Sequence, residues 1–192
     1  DPQGHAGLAE MTADLVSQGT ATRSATDVAQ QIESIGASLN QGSGADSSDV
    51  SLQTRSDRAD TAFTVMADVV RNPTFANEEL ERVRQQSLDG LQVSLSQPGP
   101  LASLAMARAL YGDAPYGQTN SPHSLQAISH DDVVNFHNTY WRPDTAVLVI
   151  TGDVSAEQGF ALAQRYFGDW AKPAAAPPAE PDATAHAANT RT

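Results

Sequence analysis

Apolar positions recur with a helical period at the start of the chain and switch to alternation before residue 55. Leu8, Met11, Leu15 and Val16 fall near one face of a helix over residues 7–18, and Gly19 supplies its stop. Ser24 and Asp27 have the spacing of a capping box. A second helix is therefore expected after Ser24, with Val28, Ile32 and Ile35 as its apolar stripe and Gly36 at its end. Between residues 37 and 55 the period becomes two. Ala37, Leu39, Val50, Leu52 and Thr54 alternate with polar neighbours around Gly42-Ser43-Gly44-Ala45-Asp46. This predicts two half-buried strands paired antiparallel across a short turn.

Helical spacing returns over residues 58–71, with Phe63, Met66 and Val70 inward, until Asn72-Pro73 stops it. Asn77 is placed to cap a long helix reaching Leu95. Its first turns carry Glu78, Glu79 and Glu81, which suits the positive end of a helix dipole. Gly90 sits inside this helix, where glycine costs about 0.5–1 kcal/mol relative to alanine. After Gln97-Pro98-Gly99-Pro100 comes a short alanine-rich helix over 101–110, then a loop from Tyr111 to Pro122. Ser129 and Asp132 open a helix through Tyr140. Ala146-Val147-Leu148-Val149-Ile150 is the most apolar stretch and predicts a central strand. Ser155 and Gln158 open a last helix with Phe160, Leu162, Ala163 and Phe167 as core candidates.

Clustered strands set apart from runs of helices predict an α+β fold, an antiparallel sheet with helices packed on one face. Residues 172–192 are rich in Ala and Pro and nearly free of large apolar side chains, so they are expected to form a linker to a further domain. The domain proper is then residues 1–171. The chain opens at Asp1 with no Met and no apolar leader, the pattern of a piece of a longer polypeptide.

Composition narrows the chemistry. No apolar run approaches the ~20 residues of a membrane helix. The chain has no cysteine, which excludes disulfides, thiolate metal sites and a cysteine nucleophile. A formal charge of −12 over 192 residues opposes binding to a phosphate backbone, so nucleic acid is not an expected partner. The histidines (His5, His123, His130, His137, His186) include no i, i+4 pair and are expected at the surface or its boundary. Glu78/Glu79 and Asp131/Asp132 fall at helix starts, where dipole compensation accounts for them. No nucleophile elbow and no phosphate-binding loop occur. From residue chemistry alone this is an α+β domain without a visible active site.

Motifs carry the reading further. Gly7-Leu8-Ala9-Glu10-Met11-Thr12-Ala13-Asp14, followed by Gly19-Thr20, resembles the signature of the pitrilysin/insulinase family of zinc metallopeptidases, which includes the mitochondrial processing peptidase. Gly36-Ala37-Ser38-Leu39-Asn40, Asn72-Pro73-Thr74-Phe75, Gln97-Pro98, Pro115-Tyr116-Gly117, Tyr140-Trp141-Arg142-Pro143 and Val147-Leu148-Val149-Ile150-Thr151-Gly152-Asp153 resemble further family motifs in the same order. The resemblance covers residues 1–171. It implies a fold with one or two strands upstream of Gly7, and hence an open sheet edge here with a tendency to pair between chains.

In active members two histidines hold zinc, and the glutamate between them activates water. The matching positions here are Glu10, Asp14 and, for the base, Ala13. The position of the third ligand falls at Gly90, beside Asp89. The resemblance therefore implies a zinc-free domain with no catalytic residue and no metal of its own. A homologous partner domain or subunit would supply the zinc, and this domain would help hold extended peptides in a chamber. A site of Glu10, Asp14 and Asp89 for a hard cation is the minor alternative. Asn40, Gln41 and Gly42 match the strand along which the family lays its substrate by β-addition, with Gln41 standing where the family has alanine. A second function class is a structural or assembly subunit like the respiratory-complex core proteins. The acidic, cysteine-free, Ala/Pro-linked sequence is more similar to a bacterial soluble or periplasmic peptidase.

Overall fold

A computed structural model describes residues 1, 2, 4–112 and 114–178. Helices α1 (Leu8–Leu15) and α2 (Ala25–Ser34) precede the strands β1 (Ser38–Ser43) and β2 (Ser48–Gln53). Six helices follow: α3 (Ala59–Arg71), α4 (Asn77–Leu95), α5 (Pro98–Tyr111), α6 (Pro122–Ala127), α7 (His130–Tyr140) and α8 (Ala156–Phe167). The strands pair antiparallel with Leu39 opposite Leu52 and Gln41 opposite Val50. Alternation at period two thus turns one apolar set toward α1, α2 and α3, which lie against the hairpin. The α+β class stands, with a sheet of two strands.

Local signals set most boundaries. Ser24/Asp27, Ser129/Asp132 and Ser155/Gln158 each form a reciprocal capping box. The core gathers Leu8, Met11, Leu15 and Val16 from the α1 region, Val28 and Ile32 from α2, and Val65 and Val69 from α3. Phe75 ahead of α4, Leu80 and Val83 of α4, and Leu125, Ile128 and Val133 complete it. Arg84 of α4 donates to the carbonyls of Leu125 and Ile128, the latter at 2.8 Å, and so satisfies the open C-terminal end of α6.

Several expectations are corrected. Residues 146–150 form no strand: no other strand lies beside the run among the described residues, and an apolar sequence makes a ladder only with a neighbour. Asn77 is the first residue of α4 and Ala76 stands at the cap, without a side-chain bond. The helix after Gln97 starts at Pro98, because proline's fixed φ and missing N–H suit the first helical position. The loop before Ser129 contains α6, opened by Ser121 and Pro122. No residue of α8 is buried among the described residues: α8 packs mainly on α3 and turns Phe160 to solvent, 75% exposed. His137 is buried; its Nε2 lies 2.9 Å from the Val70 carbonyl, and its ring stacks on Trp141.

Residues 172–178 form neither helix nor strand, and the Ala175 carbonyl accepts from Arg142 at 2.7 Å. The remainder of the expected linker, with His186, lies outside the described residues. No helix among the described residues is long and apolar enough to cross a membrane.

Candidate functional site

The face carrying the zinc-motif positions is built on α1. Gly7 precedes the helix with φ 98°, a left-handed conformation that glycine adopts freely. A Cβ at Gly7 would stand 2.7 Å from the Leu125 side chain, so the position is closed sterically as well. With no cap from Gly7, the Asp1 carboxylate does that work: it accepts from the Gly7 N–H at 2.9 Å and the Ala9 N–H at 2.7 Å. Leu8, Met11, Thr12, Ala13 and Leu15 are buried, and the Thr12 hydroxyl donates to the Leu8 carbonyl at 2.7 Å.

The predicted positions then separate by burial. Ala13 is fully buried and offers no donor atom. Glu10 is exposed, and its carboxylate accepts from Asn120 Nδ2 at 3.1 Å. Asp14 lies one turn on and is half-buried. Its carboxyl is pushed above the usual range, first by burial and then by the charge of Glu10. On α4, Gly90 is exposed, and a Cβ there would meet nothing within 4 Å. Asp89 accepts from Gln85 at 2.8 Å, one turn back on its own helix.

This donor set does not fit zinc. Tetrahedral zinc wants three protein ligands, usually imidazole or thiolate with at most a carboxylate or two, plus an open position. Here two carboxylates share one helix face, the base position has only a buried methyl group, and the third position has no side chain. Glu10, Asp14 and Asp89 do not gather into a metal-holding group among the described residues.

The strand positions behave differently. Asn40, Gln41 and Gly42 lie in β1 opposite Ser51, Val50 and Asp49. Asn40 is exposed, while Gln41 and Gly42 are half-buried. Among the described residues, the outer edge of β1 has no strand partner. Sequence reasoning missed Asn120, which reaches Glu10 from 110 residues away. Nothing local encodes that contact, because the stretch reads as loop.

The family model described as Insulinase (Peptidase family M16) matches residues 1–121, and that described as Peptidase M16 inactive domain matches residues 127–192. The chain belongs to peptidase family M16, the insulinase family.

An uncharacterised zinc protease of Rickettsia bellii is 25% identical, over 85% of this chain and 40% of its own length. The protein called non-peptidase homolog YmxG in Helicobacter pylori is 27% identical, over 79% of this chain and 36% of its own. The solved peptidase M16 inactive domain from Pseudomonas fluorescens superposes with a TM-score of 0.82 at 29% identity, covering 89% of this chain and 42% of that one. The Escherichia coli periplasmic protease PqqL has a TM-score of 0.85 at 14% identity, over 98% of this chain and 22% of its own, a likeness of fold. The chain thus spans less than half the length of these relatives.

Proposed function

We propose that this domain is a non-catalytic part of an M16 zinc metallopeptidase. A homologous domain or subunit carries the zinc and cleaves the peptide, and this domain closes part of the chamber that holds it. The observation that carries the reading is the state of α1: Gly7, Ala9, Gly19 and Thr20 keep the motif's frame, but Glu10 and Asp14 stand at the histidine positions and the base position is a buried alanine. Without a proton acceptor there, water activation has no agent in this domain. The free edge of β1 at Asn40, Gln41 and Gly42 supports a role in holding extended peptide, because β-addition uses main-chain bonds and tolerates many sequences. The relative named a non-peptidase homolog supports the same division of labour. A periplasmic or other extracytoplasmic setting belongs to this reading.

The test is a quenched fluorescent peptide library and zinc analysis on the purified chain, alone and mixed with the zinc-bearing family member from the same source. The expected result is no zinc and no cleavage by the chain alone, and chelator-sensitive cleavage with the partner that rises when this chain is added. Stoichiometric zinc with cleavage by this chain alone overturns the proposal. Binding to the partner with no change in cleavage would favour the structural-subunit reading.

A further inference from the structure

The segment that leads into α6 is pinned at both of its ends. At its start, Pro115–Gly117 form a tight turn, and a Cβ on buried Gly117 would overlap the Gly112 carbonyl oxygen, so only glycine allows this approach. The Tyr116 ring packs on that of Tyr111, with centroids 5.6 Å apart. At its far end Ser121 caps α6. Asn120 sits against the bare backbone of Gly7, where a Cβ would stand 3.2 Å from Asn120 Oδ1. Residues 118–121 are half-buried.

Two side chains of this segment reach distant elements. Tyr116 Oη donates to Asp46 Oδ1 at 2.5 Å, in the turn between β1 and β2. Asn120 Nδ2 donates to Glu10 Oε2 at 3.1 Å, on α1. Both acceptors are carboxylates, which make the stronger hydrogen bonds. The strands of the hairpin rest on α1, α2 and α3, whereas its turn, residues 44–47, is exposed. α1 packs on α4, α4 on α5, and α5 on the 115–117 turn. The bond from Tyr116 to Asp46 leads from that turn back to the hairpin and closes a ring of elements. Asn120 ties the same segment to α1, on which the hairpin rests.

We propose that residues 115–121 are a strap that braces the β1–β2 hairpin, fastened by Tyr116 to Asp46 and by Asn120 to Glu10. Glu10 stands at the first histidine position of the zinc motif, and its carboxylate gives the strap an acceptor there. The position thus carries a strap anchor in place of a metal ligand. If β1 is the edge that holds peptide, as proposed above, the strap keeps that edge in one arrangement before peptide arrives, and binding then loses less entropy in ordering it.

Hydrogen exchange on the full-length protein tests the strap without any peptide. The reporter is the Gly44 N–H, which donates to the Ser47 carbonyl at 2.7 Å across the hairpin turn. Tyr116→Phe keeps the ring and removes the hydroxyl, and is expected to speed exchange of this amide by about three- to tenfold. Tyr116 is exposed, so circular dichroism should report an unchanged fold. Asp46→Asn keeps an acceptor and should stay close to the wild-type rate. Asn120→Ala releases the other fastening and should speed exchange of the same hairpin amide by about two- to fivefold, although its bond goes to α1. Glu10→Gln keeps an acceptor for Asn120 and should restore the wild-type rate that Glu10→Ala loses. An unchanged rate in Tyr116→Phe overturns the proposal. So does a response to Tyr116→Phe with none to Asn120→Ala, because the two bonds would then act separately. With the zinc-bearing partner present, Tyr116→Phe should raise the KM for peptide by about three- to tenfold and leave kcat unchanged. Faster exchange with an unmoved KM upholds the strap and overturns the reading of β1 as the peptide-holding edge.

Discussion

The two ends of α4 show the molecule's division. Its first turns bury Leu80 and Val83 against α1 and the α6–α7 turn, and Arg84 ties it to the carbonyls there. Its last turns leave Val93 and Leu95 exposed, and α5 beyond them buries no residue at all, with Met106 and Leu110 about 60% in solvent. From residue 90 to 112 the only charged side chain is Arg108. A helix apolar on all sides is expected in a core, and α5 instead exposes its apolar residues. One half of the domain is held by its own burial. The other leaves a broad apolar surface in solvent.

The comparison breaks first at Ala13. Ala13→Glu would force a carboxylate into a fully buried position with no partner, and should destabilise by at least about 3 kcal/mol in urea unfolding. A variant of wild-type stability would mean that the α1 face is open and the base position restorable. Leu15→Ala, also fully buried, should cost about 2–5 kcal/mol, whereas Leu101→Ala or Met106→Ala on α5 should stay within about 0.5 kcal/mol. Equal losses in the two regions would erase the distinction between them. Gly7→Ala meets both a positive φ and the Leu125 side chain, and should cost about 1–3 kcal/mol.

Capping and alternation were the legible part of the fold. Ser24/Asp27, Ser129/Asp132 and Ser155/Gln158 state where helices begin, because the bonds they make span only three residues. The β1–β2 hairpin was legible for the same reason: its turn and its period lie within twenty residues. Ala146–Ile150 was read as a central strand because its composition asks for burial, but composition cannot name the strand that would pair with it. The frame of α1 was legible through its motif. Glu10's bond to Asn120, the Asp1 cap and the burial of His137 against Val70 were not, since each depends on how distant elements meet.

His137 supplies the pH dependence of the covered half. Burial is the larger cause and holds its pKa below the ordinary 6.5, against the opposing bond to the Val70 carbonyl. The unfolded chain therefore binds a proton at a pH where the folded chain does not. Stability from this group is present above pH 6.5 and is lost as pH falls through the folded-state value. Urea midpoints measured from pH 7.5 down to 5 should fall, and His137→Gln should flatten the decline; an unchanged slope would show that His137 reaches water.

The smallest effect tests the α4 face itself. Gly90 is exposed in mid-helix, its φ is not positive, and a Cβ there meets nothing within 4 Å. No fold requirement keeps it glycine. Gly90→Ala should therefore stabilise by about 0.5–1 kcal/mol, through reduced freedom of the unfolded chain and better helix propensity. Read by urea unfolding, a gain of that size means that the position carries neither a structural nor a chemical duty in the isolated domain. The same variant, titrated against the zinc-bearing partner, then separates the two remaining meanings of the glycine. Unchanged binding makes it a relic of a lost ligand. Weakened binding, with the gain in stability intact, makes the missing side chain a clearance that lets the other domain's surface approach α4, and places the boundary between the covered and uncovered halves at residue 90.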